Sequence, residues 1–222
     1  MGSANKTQSA ARKARIEEMR RAEQSRQRRN RILVVAASAV VVAALVVGGV
    51  FVVKSQGDDD KDTASSSKAQ GSGHFVTGKD GVRTWTGKLT RNHVQTTVNY
   101  PMHPPVGGDH NPVWLNCNGN VYTKPVKDEN AVHALEHGAV WVTYTDKAKK
   151  ADVATLTAKV KQTPYSLISP YPSQSAPIEL SAWGHQLSVT SANDPKVAAF
   201  FETYVQGKQT PEPGASCTGG TM

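Results

Sequence analysis

Residues 32–53 form a run of 22 positions that contains no charged side chain and consists mainly of valine, alanine and leucine. At about 1.5 Å per residue, a helix of this length covers roughly 33 Å, enough to cross a hydrocarbon core of about 30 Å. The run is longer than the apolar region of a cleaved signal peptide, and no small-residue cleavage site follows it. The sequence therefore predicts a retained transmembrane signal anchor at residues 32–53, in contact with the lipid bilayer.

The charges on either side of this run predict its orientation. Residues 1–31 carry ten lysine or arginine side chains against three glutamates, which accounts for +7 of the net charge of +8 of the whole chain. Because a basic flank of a single span stays inside the cell, we expect residues 1–31 to form a basic cytoplasmic arm. The sequence thus predicts a single-pass protein of the cell membrane. The residues that follow the span are then extracytoplasmic. The excess charge lies beside the predicted membrane, so it indicates no nucleic-acid partner.

The composition changes again after the predicted span. Residues 54–73 are rich in serine, glycine, aspartate and lysine and have few apolar side chains. Such a segment cannot bury enough surface to offset the entropy of ordering it, so it is predicted to be a flexible linker. The remaining residues, 74–222, are numerous enough to form a core of their own. They are predicted to be one extracytoplasmic domain.

Hydrophobic patterns within this domain predict the α+β class. Residues 139–145 form a nearly continuous apolar run suited to a central strand, and a helix at 151–160 and a strand at 165–169 follow it. The order strand, helix, strand predicts a parallel crossover, whereas two later strands separated by a Gly-His pair predict a hairpin. The other predicted elements lie at residues 94–98, 177–183, 186–190 and 195–207. Together they give a small mixed β-sheet with two or three helices.

Cys117 and Cys217 are the only cysteines of the chain. An even number of cysteines in an oxidising compartment favours a disulfide. This bond would close a loop of about 100 residues and would hold a C-terminal tail that has no regular pattern of its own. The alternative is that Cys117 serves as a thiolate ligand for a metal. We predict the disulfide.

The segment His-Ala-Leu-Glu-His at residues 133–137 carries the most chemistry in the domain. On a helix, His133, Glu136 and His137 would share one face. Two imidazoles and a carboxylate can bind zinc or copper, and the pattern H-x-x-E-H also occurs in a class of zinc peptidases. However, Gly138 and the strand pattern behind it predict a short helix that ends at a glycine cap. A zinc hydrolase is therefore the least favoured alternative.

A second group of candidate ligands lies in a loop at residues 100–114 that is rich in proline and glycine. If this loop folds over the short helix, His110 would join His133 and His137 as a third nitrogen ligand. Glu136 would then serve as a fourth ligand or would orient one of the rings, and such a set suits zinc.

The same loop contains two further candidates, Met102 and His103. A thioether from Met102 would make the ligand set softer and would favour copper. The remaining histidines lack any pattern that connects them with other ligands and are interpreted as ordinary residues at a linker end, a strand edge and a hairpin tip: His74, His93 and His185.

Several of these motifs together resemble the family called domain of unknown function 3105. The resemblance extends over about residues 95–217 and rests on Pro-Pro-Val-Gly-Gly-Asp-His at 104–110, Trp114, Gly-Asn-Val-Tyr at 119–122, His-Ala-Leu-Glu-His-Gly-Ala-Val at 133–140, Tyr144, Pro-Tyr-Pro at 170–172, Ala-Trp-Gly at 182–184 and the tail at 211–217. It implies an actinobacterial protein anchored by one span. It also implies that His110, His133, Glu136 and His137 belong to the shared pattern, from which Met102 and His103 depart. The family brings no established activity.

Two functional hypotheses follow from the sequence. The first is an extracytoplasmic domain that binds copper or zinc through His110, His133 and His137, with Glu136 as a ligand or an orienting residue. Storage, delivery or sensing of the metal is favoured over catalysis. The alternative is a structural domain, or one that binds a protein partner in the cell envelope, in which the histidines form a buried polar network.

Overall fold

The computed structural model describes residues 72–222. The predicted cytoplasmic arm, the predicted span at residues 32–53 and nearly all of the predicted linker lie outside this range. Among the described residues, no helix combines the length and the apolar character that crossing a membrane requires. The fold is therefore that of the predicted C-terminal domain.

A seven-stranded mixed sheet forms the centre of the described domain, with the strands in the order β1-β2-β7-β6-β4-β5-β3. The strands are β1 (Phe75–Thr77), β2 (Arg83–Trp85), β3 (Asn118–Val121), β4 (Val140–Tyr144), β5 (Ser166–Pro170), β6 (Ile178–Ala182) and β7 (His185–Val189). β5 pairs in parallel with both β3 and β4, and the other four pairs are antiparallel.

Three helices within residues 72–222 accompany the sheet: α1 (Asp128–Glu136), α2 (Lys150–Lys161) and α3 (Pro195–Tyr204). α2 connects the parallel strands β4 and β5, so the predicted crossover is present. α3 begins at the predicted position, because the carboxylate of Asp194 accepts a hydrogen bond from the backbone N–H of Lys196 at 2.9 Å. The mixed sheet and the three helices confirm the α+β fold.

The predicted strand at residues 94–98 is wrong. The backbone N–H of Val94 donates to the carbonyl of His110, and that of Val98 donates to the Glu129 side chain. The segment therefore does not pair along its length as a strand does. Among the described residues, the only β-pairing beside it is one isolated bridge between His93 and His110. The short strands β1, β2 and β3 were not predicted, because three or four half-exposed residues give almost no hydrophobic alternation.

The core of the domain lies around the three central strands, whose side chains Trp141, Leu167 and Leu180 are completely buried. The indole N–H of Trp141 donates to the hydroxyl oxygen of Ser169 on the neighbouring strand at 3.0 Å, so its polar atom is satisfied inside the core. α1 leads into β4 after only three residues. The C-terminal end of α1 is thereby fixed against the most rigid part of the sheet.

Cys117 and Cys217 form the predicted disulfide, with their Cα atoms 4.7 Å apart and the two residues 100 positions apart in the sequence. The backbone N–H of Cys117 also donates to the carbonyl oxygen of Cys217 at 2.9 Å. The thiolate alternative for Cys117 is therefore wrong, since its sulfur is already bonded.

Candidate metal centre

α1 carries two of the candidate ligands on one buried face. His133 and Glu136 are one turn apart, and their exposed fractions are 4% and 1%. The helix ends immediately after Glu136, with His137 as its C-cap and Gly138 in the left-handed region at φ +91°. The predicted short helix with a glycine behind it is confirmed.

The loop before α1 supplies His110, which is completely buried. A parallel bridge of two backbone hydrogen bonds joins it to His93: Val94 N–H donates to the carbonyl of His110 at 2.8 Å, and His110 N–H donates to the carbonyl of Asn92 at 3.0 Å. The side-chain amide of Asn92 also donates to the carboxylate of Asp109 at 2.8 Å. The backbone therefore brings two histidines, 17 positions apart in the sequence, to one place.

Four side chains converge where this bridge meets α1: His93, His110, His133 and Glu136. Each offers one ligand atom, and these atoms all lie within 4.8 Å of one another. His110 Nε2 lies 2.9 Å from Glu136 Oε2, and His93 Nε2 is 3.9 Å from the same oxygen. We refer to these four residues as the His/Glu group.

Backbone carbonyls fix the tautomers of the two buried histidines in the group. Nδ1 of His110 is 2.7 Å from the carbonyl oxygen of Gly108, and Nδ1 of His133 is 2.7 Å from that of Asn111. Because a carbonyl oxygen only accepts, both Nδ1 atoms carry the proton and donate it. In the neutral rings Nε2 then holds the lone pair, which is the arrangement that orients histidine ligands around metals.

The charges of the group favour cation binding. Burial, together with the neighbouring ring of His137, lowers the pKa of His133 from 6.5 to about 4, so this ring is neutral at pH 7. Burial raises the pKa of the Glu136 carboxyl, but the histidines around it and Arg91 outweigh burial and hold that pKa below its usual value. At neutral pH the group therefore offers a carboxylate beside an uncharged imidazole.

Two atoms at the centre of the group lack a hydrogen-bond partner. His110 Nε2 and Glu136 Oε2 are buried and only 2.9 Å apart, yet they do not meet the angular requirements of a hydrogen bond to each other or to any other described residue. Buried polar atoms without partners are uncommon in native proteins. Two such ligand atoms side by side are explained if both point at a shared cation.

The spacing also suits a first-row transition metal. Ligand atoms at about 2.0–2.1 Å from zinc in a tetrahedral site are roughly 3.3 Å from one another. The 2.9 Å and 3.9 Å separations lie on either side of this value. His93 has to move inward to complete the set; its side chain is half exposed, and its ring is stacked on that of His133 with the centroids 4.9 Å apart.

His137, the third predicted nitrogen ligand, lies outside the His/Glu group. Its Nδ1 donates to the carbonyl oxygen of Ser216 at 2.7 Å, and its Nε2 is 3.9 Å from a carboxylate oxygen of Glu212. Burial lowers its pKa to about 4. The ring packs edge-on against His133, with the centroids 4.5 Å apart. The two histidines of the peptidase-like pattern therefore do not both belong to the ligand group.

His103, one of the two additional predicted ligands, also lies outside the group. Met102 is buried. His103 has Nδ1 3.2 Å from the hydroxyl of Tyr171 and 3.8 Å from a carboxylate oxygen of Asp128.

His93 is the member of the group that the sequence interpretation missed. Neither helical spacing nor strand alternation connects it with the other ligands, because only the backbone bridge to His110 brings it there. No signal in the sequence by itself identifies this pairing.

The sequence model of the family described as "Protein of unknown function (DUF3105)" matches residues 93–219. The chain belongs to the DUF3105 family. The matched region begins at His93 and contains the whole His/Glu group and both cysteines of the disulfide. Comparison of this DUF3105 protein with curated proteins and with solved structures gave no significant match.

Proposed function

We propose that this DUF3105 protein binds one transition-metal ion, zinc or copper, through His93, His110, His133 and Glu136. The domain would present this ion outside the cell, attached to an actinobacterial membrane by a helix at residues 32–53. Storage, delivery or sensing of the metal is the role that we favour.

The observation that carries this proposal is the contact between His110 Nε2 and Glu136 Oε2. Both atoms are buried and 2.9 Å apart, and neither has a partner with hydrogen-bond geometry among the described residues. A cation between them would satisfy both atoms at once, whereas leaving a buried polar atom unpaired costs about 1–3 kcal/mol.

The donor set narrows the choice of metal. Three imidazole nitrogens and one carboxylate oxygen suit zinc and Cu²⁺, whereas Cu⁺ prefers thiolate and thioether ligands. Neither of the cysteine sulfurs is available, because they are bonded to each other. We therefore expect a divalent ion.

Exposure within the group favours exchange of the ion over permanent retention. His110, His133 and Glu136 are buried, but the side chain of His93 is 50% exposed. The ion would therefore be reached from one side, through movement of a single ligand. A site of this kind can both load and release a metal.

A structural or partner-binding domain remains the second candidate. If His110 is protonated at Nε2, its charge pairs with the Glu136 carboxylate at the observed 2.9 Å. The group would then be a buried polar network that stabilises the loop on α1 without any metal.

Metal content separates the two candidates. The full-length chain, purified without a histidine tag and dialysed against Zn²⁺ or Cu²⁺, should retain one ion per chain. His93→Ala should weaken binding by roughly tenfold or more, as loss of a metal-site residue does. Because His93 is half exposed, this change does not endanger folding, and His74→Ala is the matched control at another exposed histidine.

Equal trace amounts of metal in the wild type, in His93→Ala and in His133→Ala would reject the metal site and leave the polar network. Circular dichroism of the two variants would confirm that they are folded.

The membrane location is tested by fusing alkaline phosphatase after residue 73. Since this enzyme becomes active only outside the cytoplasm, the fusion should be active, and deletion of residues 32–53 should abolish the activity. An inactive fusion that is expressed in full would contradict the proposed orientation.

A further inference from the structure

Arg91 lies at the exposed side of the His/Glu group. Its Nη1 atom is 3.8 Å from Glu136 Oε1, and its side chain is 50% exposed, as is that of His93. This separation is too long for a hydrogen bond. Among the described residues, the Arg91 guanidinium has no hydrogen-bond partner, so its five N–H donors are available beside the site.

A bound metal would change the charge balance around Arg91. Without metal, the guanidinium offsets the charge of Glu136. With a divalent ion, neutral imidazoles and one carboxylate, the site becomes positive, and Arg91 then faces a charge of its own sign. This repulsion is removed if an anion lies between the metal and the guanidinium.

Resting on the proposed metal site, we infer that the metal-loaded group binds a small oxyanion of the carboxylate type, with one oxygen on the metal as an added fifth ligand and the other on Arg91. The guanidinium fork matches the geometry of two oxygens on one carbon. His110 and His133 close the buried side of the group, whereas the exposed side chains of Arg91 and His93 leave the other side open to solvent. The oxyanion therefore enters from the solvent side.

The test uses the full-length chain loaded with Co²⁺, whose visible spectrum reports its ligands, and formate as the oxyanion. Titration with formate should change the spectrum of the wild type until it saturates. Arg91→Gln should raise the apparent Kd for formate about tenfold, because a charge-assisted contact is lost. Lys88→Gln, three positions earlier in the chain, is the control for the loss of a positive charge on an exposed side chain, and the Kd of this variant for formate should stay unchanged.

The affinity of Arg91→Gln for Co²⁺ is a second measurement, and we do not expect it to fall together with the affinity for formate. Removing the positive charge of Arg91 should leave Co²⁺ binding unchanged or make it tighter, whereas a purely structural role for Arg91 would weaken it. The inference is overturned if formate leaves the spectrum of the Co²⁺-loaded wild type unchanged, or if Arg91→Gln binds formate as the wild type does. Failure of the wild type to bind Co²⁺ would overturn the metal site itself, and the oxyanion site with it.

Discussion

The carbonyl oxygen of Ser216 accepts a hydrogen bond from Nδ1 of His137 at 2.7 Å and so ties the C-terminal tail to the end of α1. The next residue, Cys217, is bonded to Cys117. Residues that follow α3 form no helix or strand in the described domain. Among the contacts that hold the tail are therefore one covalent bond and a histidine whose ring packs against His133 of the His/Glu group.

Removing the disulfide should destabilise the domain substantially. The loop it closes spans 100 residues, for which the chain-entropy model gives about 4.7 kcal/mol and measured losses are about 2–5 kcal/mol. The Cys117→Ser/Cys217→Ser variant should lose this amount in urea denaturation. Reductant should cause the same loss in the wild type and none in the variant. Equal stability of the oxidised wild type and the variant would contradict the prediction.

The metal-free domain should lose stability in mild acid. The pKa of His133 and of His137 is about 4 in the folded protein against a normal 6.5, so the unfolded chain binds more protons between these values. The free energy of unfolding should be unaffected by these groups above about pH 6.5 and should fall as the pH falls from about 6.5 to about 4.

Urea midpoints measured in EDTA at several pH values would check this dependence. His137→Gln removes one of the two imidazoles whose pKa is about 4 and should make the loss of stability in acid smaller. A midpoint that does not change between neutral pH and about pH 5 would show that the rings are not buried in their neutral form.

Gly138→Ala should destabilise the domain more than the same change at Gly219. Both glycines have a left-handed backbone, at φ +91° and +81°, which costs an alanine roughly 1–2 kcal/mol. A Cβ at Gly138 would also clash with Gln206 and would lie 2.7 Å from Cγ2 of Thr210, whereas nothing lies within 4 Å of one at Gly219. We expect an additional loss of about 1–3 kcal/mol in urea denaturation. Equal losses of stability in Gly138→Ala and Gly219→Ala would show that the space behind Gly138 can accommodate a methyl group.

Tryptophan fluorescence should report Cu²⁺ binding. The Trp114 ring centroid is 5.6 Å from that of His133, and the Trp183 centroid is 6.1 Å from that of His110. Cu²⁺ is paramagnetic and quenches nearby indoles, whereas Zn²⁺ has a filled d shell and should compete without quenching. Trp114→Phe/Trp183→Phe should lose most of the quenching at unchanged Cu²⁺ stoichiometry. Quenching that persists in this variant would place the ion elsewhere.

The elements that could be predicted from the sequence are those whose signal is local. The apolar run of β4, the crossover helix α2 and the Asp194-Pro195 start of α3 each have a pattern within a few residues. Gly138 directly after His137 was sufficient to predict a short α1. The disulfide followed from the cysteine count alone.

The composition of the His/Glu group could not be predicted in the same way, because it depends on contacts between distant segments. His133 and Glu136 share a helix face, and the helical period predicts their proximity. His137 has the same period but is the C-cap, and its ring donates to Ser216, 79 positions later. His93 joins the group through backbone hydrogen bonds. Because such bonds do not require particular side chains, the sequence does not show this pairing.

The bridge between His93 and His110 consists only of main-chain hydrogen bonds. Main-chain pairing sets the distance between two imidazoles without prescribing the residues around them, so Val94 can be exchanged for another side chain while both rings keep their places. Within the DUF3105 family, an equivalent pair of ligands should therefore be sought by superposing backbones, since this pairing does not prescribe the side chain that follows the first histidine.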